Sequence, residues 1–157
     1  MRIKLLVIGS TDHSALQELQ QEYLKRLQHY IAFEYIELPD IRKNKARTID
    51  NQKNKEGDAL LSKIAPGTIL ILLDENGKSV RSEDFAKQLQ DYMNQGRKQL
   101  VFAIGGPYGF SNAVYDRADR KLSLSAMTFS HQMVRVFFME QVYRAFTILR
   151  NEPYHHR

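Results

Sequence analysis

The chain has 157 residues, 43% of them hydrophobic and 26% charged, and no cysteine. That length suits one domain with a real core, and the missing thiols exclude disulfides, a thiolate nucleophile and Cys-ligated metal clusters. Twenty-three Lys and Arg against 18 Asp and Glu give a net charge of +5, which favours a polyanionic partner but equally fits a merely basic cytosolic protein.

Residues 3–8, apolar apart from Lys4, read as a first strand; the surrounding MRIKLLVIGSTDHS is too short in its apolar stretch for a signal-peptide core. No run approaches the ~20 apolar residues of a membrane span, so a cytoplasmic protein is expected. From Ser14, an expected N-cap, Leu16, Leu19, Tyr23, Leu27 and Tyr30 recur at helical spacing. Residues 33–38 read as a second strand closed by Pro39. The polar, basic DIRKNKARTIDNQKNKEG follows and leads into a weaker helix through Leu60, Leu61 and Ile64.

Residues 68–73 are continuously apolar, as a strand in the middle of a parallel sheet would be, and DENG then turns the chain. Ser82 is the expected cap of a helix ending at Gly96. A strand at 100–104, a short helix capped by Ser111, a strand at 121–124 and a last helix over 131–150 complete the chain. Strands alternating with helices predict an α/β fold, a mostly parallel sheet flanked by helices in a single domain over 1–157. The last helix carries apolar residues around most of its circumference, so a second subunit is expected against one face, giving a homodimer.

Ligands of open α/β sheets bind beyond the carboxyl ends of strands. Three segments leave such ends here: LLDENG, IGGPYG and LSLSAMTFS. Glycines let a ligand approach the main chain, and Pro107 stiffens the turn. GxGxxG, P-loop, HExxH and GxSxG patterns are all missing from the sequence, which removes the main support for dinucleotide, phosphate-loop, zinc-protease and serine-hydrolase chemistry. No metal is expected.

IGGPYGF, followed in order by LSLSAMTFSHQMVRVFFMEQVYRAFTILRNEPYHH, resembles the RlmH family of SPOUT-class methyltransferases, which act on N3 of a pseudouridine in large-subunit ribosomal RNA. The similarity spans the whole chain. It implies a C-terminal trefoil knot, S-adenosyl-L-methionine as methyl donor, a homodimer, and 23S rRNA in the ribosome as substrate, at the helix 69 loop. Carried over by position, the cofactor contacts are Leu73, Gly105, Leu124, Ser125, Ala126, Met127, Thr128 and Phe129. Transfer to N3 releases an imide proton, so a base or an anion-stabilising group is needed; His155, Tyr154 and Arg135 are the catalytic candidates, with His131 orienting its helix. Arg144 and the basic Arg42, Lys43, Lys45 and Arg47 are the candidate RNA contacts. A SPOUT enzyme acting on tRNA and a non-catalytic RNA-binding module are the alternatives.

Overall fold

The computed structural model describes residues 1–41 and 48–155. Among them the chain alternates β1 (Arg2–Ile8), α1 (Ser14–Leu27), β2 (Ala32–Leu38), α2 (Ile49–Leu61), β3 (Ile69–Ser79), α3 (Ser82–Asn94), β4 (Gln99–Ile104), α4 (Asn112–Arg117), β5 (Arg120–Ser123) and α5 (Met133–Leu149). The strands form one sheet in the order β2-β1-β4-β3-β5, and neighbouring strands all run parallel. The expected mostly parallel sheet is therefore present. Its middle strand is β4 rather than the 68–73 segment, which stands one place toward the edge.

Both faces of the sheet are covered, which is why its strands read as continuous apolar runs instead of alternating ones. On one face Ile3, Leu5, Phe102 and Leu122 pack with Leu27, Phe85, Leu89, Phe138 and Val142, so α1, α3 and α5 share a layer. On the other, Leu6, Leu72, Val101 and Ala103 pack with Leu60 of α2 and Val114 of α4. The last helix is thus half consumed within its own chain. Its buried stripe runs through Arg135, Phe138, Met139, Val142 and Phe146, while Met133 and Phe137 are 40% exposed.

The DENG segment, expected as a plain turn, lies inside β3 as an irregularity. Leu73 and Lys78 both register on Leu122 of β5, with the intervening residues displaced between them. Strand β3 therefore meets β5 twice; Glu75 and Asn76 of the displaced stretch are exposed, while Gly77 lies against the Lys121–Leu122 main chain, where a Cβ would come within 2.7 Å of Leu122. After α5 the chain turns back through a Schellman motif: Asn151 takes φ 56, its N–H bonds Ile148 O at 3.1 Å, and Glu152 N–H bonds Thr147 O at 2.9 Å. This turn directs residues 152–155 onto α5 and α1.

Candidate active site

Strand ends β3, β4 and β5 converge on one cavity of about 620 Å3. Its lining includes Leu73, Gly105, Leu124, Ser125, Met127, Thr128 and Phe129, which is every cofactor position expected from sequence except Ala126. The three segments singled out as strand-end loops are thus neighbours in space.

The glycine loop is a tight turn. Gly109 N–H donates to Gly106 O at 3.0 Å, with Pro107 and Tyr108 at the corners. A Cβ on Gly105 would lie 3.1 Å from the carbonyl carbon and 3.2 Å from the oxygen of Gly109. Glycine stands there because the loop folds back on its own main chain, and the cavity gains a wall of bare backbone as a result. The β5 exit is held by its own serines: Ser123 Oγ donates to Ser125 O at 2.8 Å, and Met127 N–H donates to Ser125 Oγ at 2.9 Å.

Acidic groups close the β3 side. Tyr115 Oη donates to Asp74 Oδ2 at 2.6 Å, Asn76 N–H donates to Oδ1 at 2.8 Å, and Thr128 Oγ1 donates to Glu75 Oε2 at 2.9 Å. Burial, reinforced by the Asp74 bond, pushes the Tyr115 phenol up to about 12. Tyr115, Asp74 and Glu75 were not among the expected site residues; Tyr115 comes from the other side of the sheet by way of α4, and only the position of DENG after a strand hinted at the acids.

The tail forms a second cluster. Tyr154 Oη donates to Glu140 Oε1 at 3.2 Å and lies 3.3 Å from Tyr23 Oη, while the Arg144 guanidinium sits 4.8 Å from the Tyr154 ring centroid and donates through Nε to Glu140 at 2.9 Å. Burial, with Tyr23 and Glu140 beside it, raises the Tyr154 phenol far above its ordinary range. His155 Nδ1 is 3.4 Å from Arg144 Nη1, and its Nε2 is 3.3 Å from Glu83 Oε1. Arginine only donates, so Nδ1 accepts and Nε2–H points to Glu83. The Glu83 carboxyl is held below its usual range, first by its own backbone N–H and then by His155.

Tyr154, His155 and Arg144 therefore meet one another, but none lines the cavity in its own chain. Val134, which does, lies ten residues before Arg144 on α5, about 15 Å along the axis. Arg135 belongs to neither group. It is fully buried, and its guanidinium donates to Ile8 O (2.6 Å), Gly9 O (3.0 Å), Thr11 Oγ1 (3.0 Å), Tyr35 Oη (3.3 Å) and His131 O (3.0 Å). It ties the end of β1 to the segment entering α5. Its donors are occupied by the protein itself, which makes it a positioning residue; His131, at that segment, borders the cavity. Arg42, Lys43, Lys45 and Arg47 lie outside the described residues.

Comparison with known proteins bears on the same site. A family profile described as "Predicted SPOUT methyltransferase" matches residues 1–155. The chain is 58% identical over 157 residues, the full length of both, to a protein of Christiangramia forsetii named Ribosomal RNA large subunit methyltransferase H. Proteins of the same name from Flavobacterium johnsoniae and Parabacteroides distasonis are 57% identical over all 157 residues of both chains and 53% identical over 156 residues, 99% of each. With the profile matched along nearly its whole length and the strand ends gathered as described, the chain belongs to the SPOUT methyltransferase family.

Proposed function

We propose that the protein methylates 23S ribosomal RNA at N3 of a pseudouridine in the helix 69 loop, with S-adenosylmethionine as donor and as a homodimer. The observation that carries this is the single cavity at the three carboxyl-side strand ends, in a chain 53–58% identical end to end to curated large-subunit rRNA methyltransferases. When bound, S-adenosylmethionine supplies a methyl group on a sulfonium centre. The residues present fit such a molecule. Leu73, Ile104 and Leu124 offer apolar surface for a planar base, the 105–109 main chain allows close approach, and the Asp74 and Glu75 carboxylates place negative charge beside a cationic donor. Acceleration would come chiefly from alignment of donor and acceptor in this cradle.

The acceptor must lose its N3 proton, and the tail holds the groups that serve that step. Tyr154, kept neutral, serves as a hydrogen-bond donor to developing negative charge once its proton turns away from Glu140. Arg144, fixed by Glu140, presents a cation, and His155 Nδ1 carries the lone pair able to accept a proton once released from Arg144. Within one chain the tail and the cavity stand at opposite ends of the α5 contact. A second copy packed on exposed Phe129, Met133 and Phe137 would bring its tail to this cavity, and the exposure of those side chains supports that pairing.

The test is incubation with labelled S-adenosylmethionine and ribosomes lacking the modification. Label in one 23S pseudouridine is the expected result. Label confined to tRNA would move the protein to another branch of the family, and no label in any RNA would overturn the assignment.

A further inference from the structure

A second cavity, of about 420 Å3, opens between α3 and β5, in the size range of small-molecule sites. Its floor is the packed pair Phe85 and Phe102, with Leu89 and Leu122 beside them. Tyr92 forms a wall. This residue is 5% exposed, and its buried Oη makes no hydrogen bond of good geometry, although the Arg120 side chain stands near enough to act on it, whereas buried hydroxyls in folded proteins are nearly always bonded. At the rim stand Arg120, whose guanidinium lies 5.4 Å from the Tyr92 ring centroid, and Lys78. Neither forms an ion pair among the described residues, and no carboxylate lines the cavity. Lys121 borders it too, but its ammonium is directed over Tyr115, near the first cavity.

An aromatic-walled slot, a buried hydroxyl that faces only the Arg120 side chain, and two cations at the mouth with no carboxylate partner together call for a flat ring that carries an anion. We propose that this cavity binds a nucleotide, with the base between α3 and β5 and the phosphate on Arg120 and Lys78. Base stacking on aromatic side chains and Arg pairing with phosphate are the interactions such a site uses. Two sources share this chemistry: an everted nucleotide of the RNA substrate, and a free mononucleotide. The first rests on the rRNA methyltransferase reading; the second does not. Leu122 borders both cavities, so an RNA nucleotide held here would lie one strand away from the methyl-transfer site.

The experiment is an NMR titration of the 15N-labelled full chain with uridine monophosphate and, separately, with a single-stranded oligouridylate, alongside S-adenosylmethionine calorimetry on the same sample. Nucleotide binding should shift the amides of Leu89, Tyr92 and Lys121 and leave residues 105–109 in place. Arg120→Ala should weaken that binding tenfold or more with cofactor affinity unchanged. Gln88→Phe, which fills the mouth while keeping both cations, should block it as well. If Arg120→Ala also raises the KM for ribosomes, the site serves RNA; if only the mononucleotide affinity falls, it serves a free nucleotide. Absence of shifts at these amides with both probes, or shifts that persist in both variants, overturns the proposal. Failure to bind S-adenosylmethionine would instead sink the enzyme assignment, and the mononucleotide arm would stand by itself.

Discussion

Arg135 is enclosed on all sides, and the five atoms it bonds are neutral oxygens. Three of them are main-chain carbonyls that belong to two distant segments, so the guanidinium acts as a clamp between β1 and the start of α5. Losing it would strand several buried acceptors, each at a cost of about 1–3 kcal/mol. A lysine cannot restore the fork with one ammonium. Arg135→Met and Arg135→Lys should therefore both lose about 3 kcal/mol or more, read from urea unfolding midpoints; a lysine variant as stable as wild type would refute the clamp. The burial was legible in the sequence, because position 135 falls on the same helical face as Phe138, Met139 and Val142. Its charge points toward an anionic substrate, and nothing local in the sequence shows that the end of β1 offers open carbonyls to it. Gly105 carries a related lesson. A side chain there strikes Gly109 before it reaches the cavity, so Gly105→Val should act by unseating the turn. Calorimetry should give at least a tenfold loss of S-adenosylmethionine affinity together with a lower Tm, and an unchanged Tm with lost affinity would show direct filling of the slot instead.

Among the elements, order and type were readable from periodicity and the starts of α1, α3 and α4 from their serines to within a residue, but the capping bonds and the start of α2 were not. Serines 14, 82 and 111 stand where N-caps are expected, yet none makes a cap bond. Ser14 and Ser82 are the first helical residues, and Ser82 Oγ donates instead to Gln141 on α5. The residue that does cap is Thr48, whose side chain accepts from Asn51 N–H, starting α2 some twelve residues before the leucines that revealed it. Polar residues hid that first stretch because α2 buries Gln52 and Glu56 rather than apolar groups. The tail was legible as a motif and illegible as a structure, since its docking depends on the left-handed Asn151 and on partners in α1. Tyr30 of the α1–β2 turn donates to Glu152, and that bond, followed by burial and the carboxylate charge, pushes the phenol from 10.0 to about 12. A phenol raised in the folded state contributes stability that is intact below pH 10 and fades as pH climbs through 12. The difference in Tm between wild type and Tyr30→Phe should therefore be constant to pH 10 and shrink toward pH 12. A gap that widens over that range would reverse the sign and refute the bond.

For the molecule as a whole, the decisive geometry is the separation of the cavity from the tail along α5. Phe129 and Phe137 pack at 4.9 Å between ring centroids, and with Met133 they leave an exposed apolar row beginning at the cavity's edge. A charge in that row would be forced against apolar surface in any isologous pairing, where each substitution appears twice. Phe137→Glu should thus convert a dimer to a monomer in sedimentation equilibrium. Position 137 is 40% exposed and outside the core, so the folded monomer should persist with its circular dichroism unchanged. It should still bind S-adenosylmethionine, because the cradle comes from one chain, and should lose at least a hundredfold in methylation, because the tail would come from the other. Mixing that variant with a His155→Ala chain supplies the sharper measurement. If each site takes its tail from the neighbour, activity should follow the fraction of heterodimer formed; if a stable monomer of Phe137→Glu methylates ribosomes at the wild-type rate, tail and cavity act within one chain and the shared site is wrong.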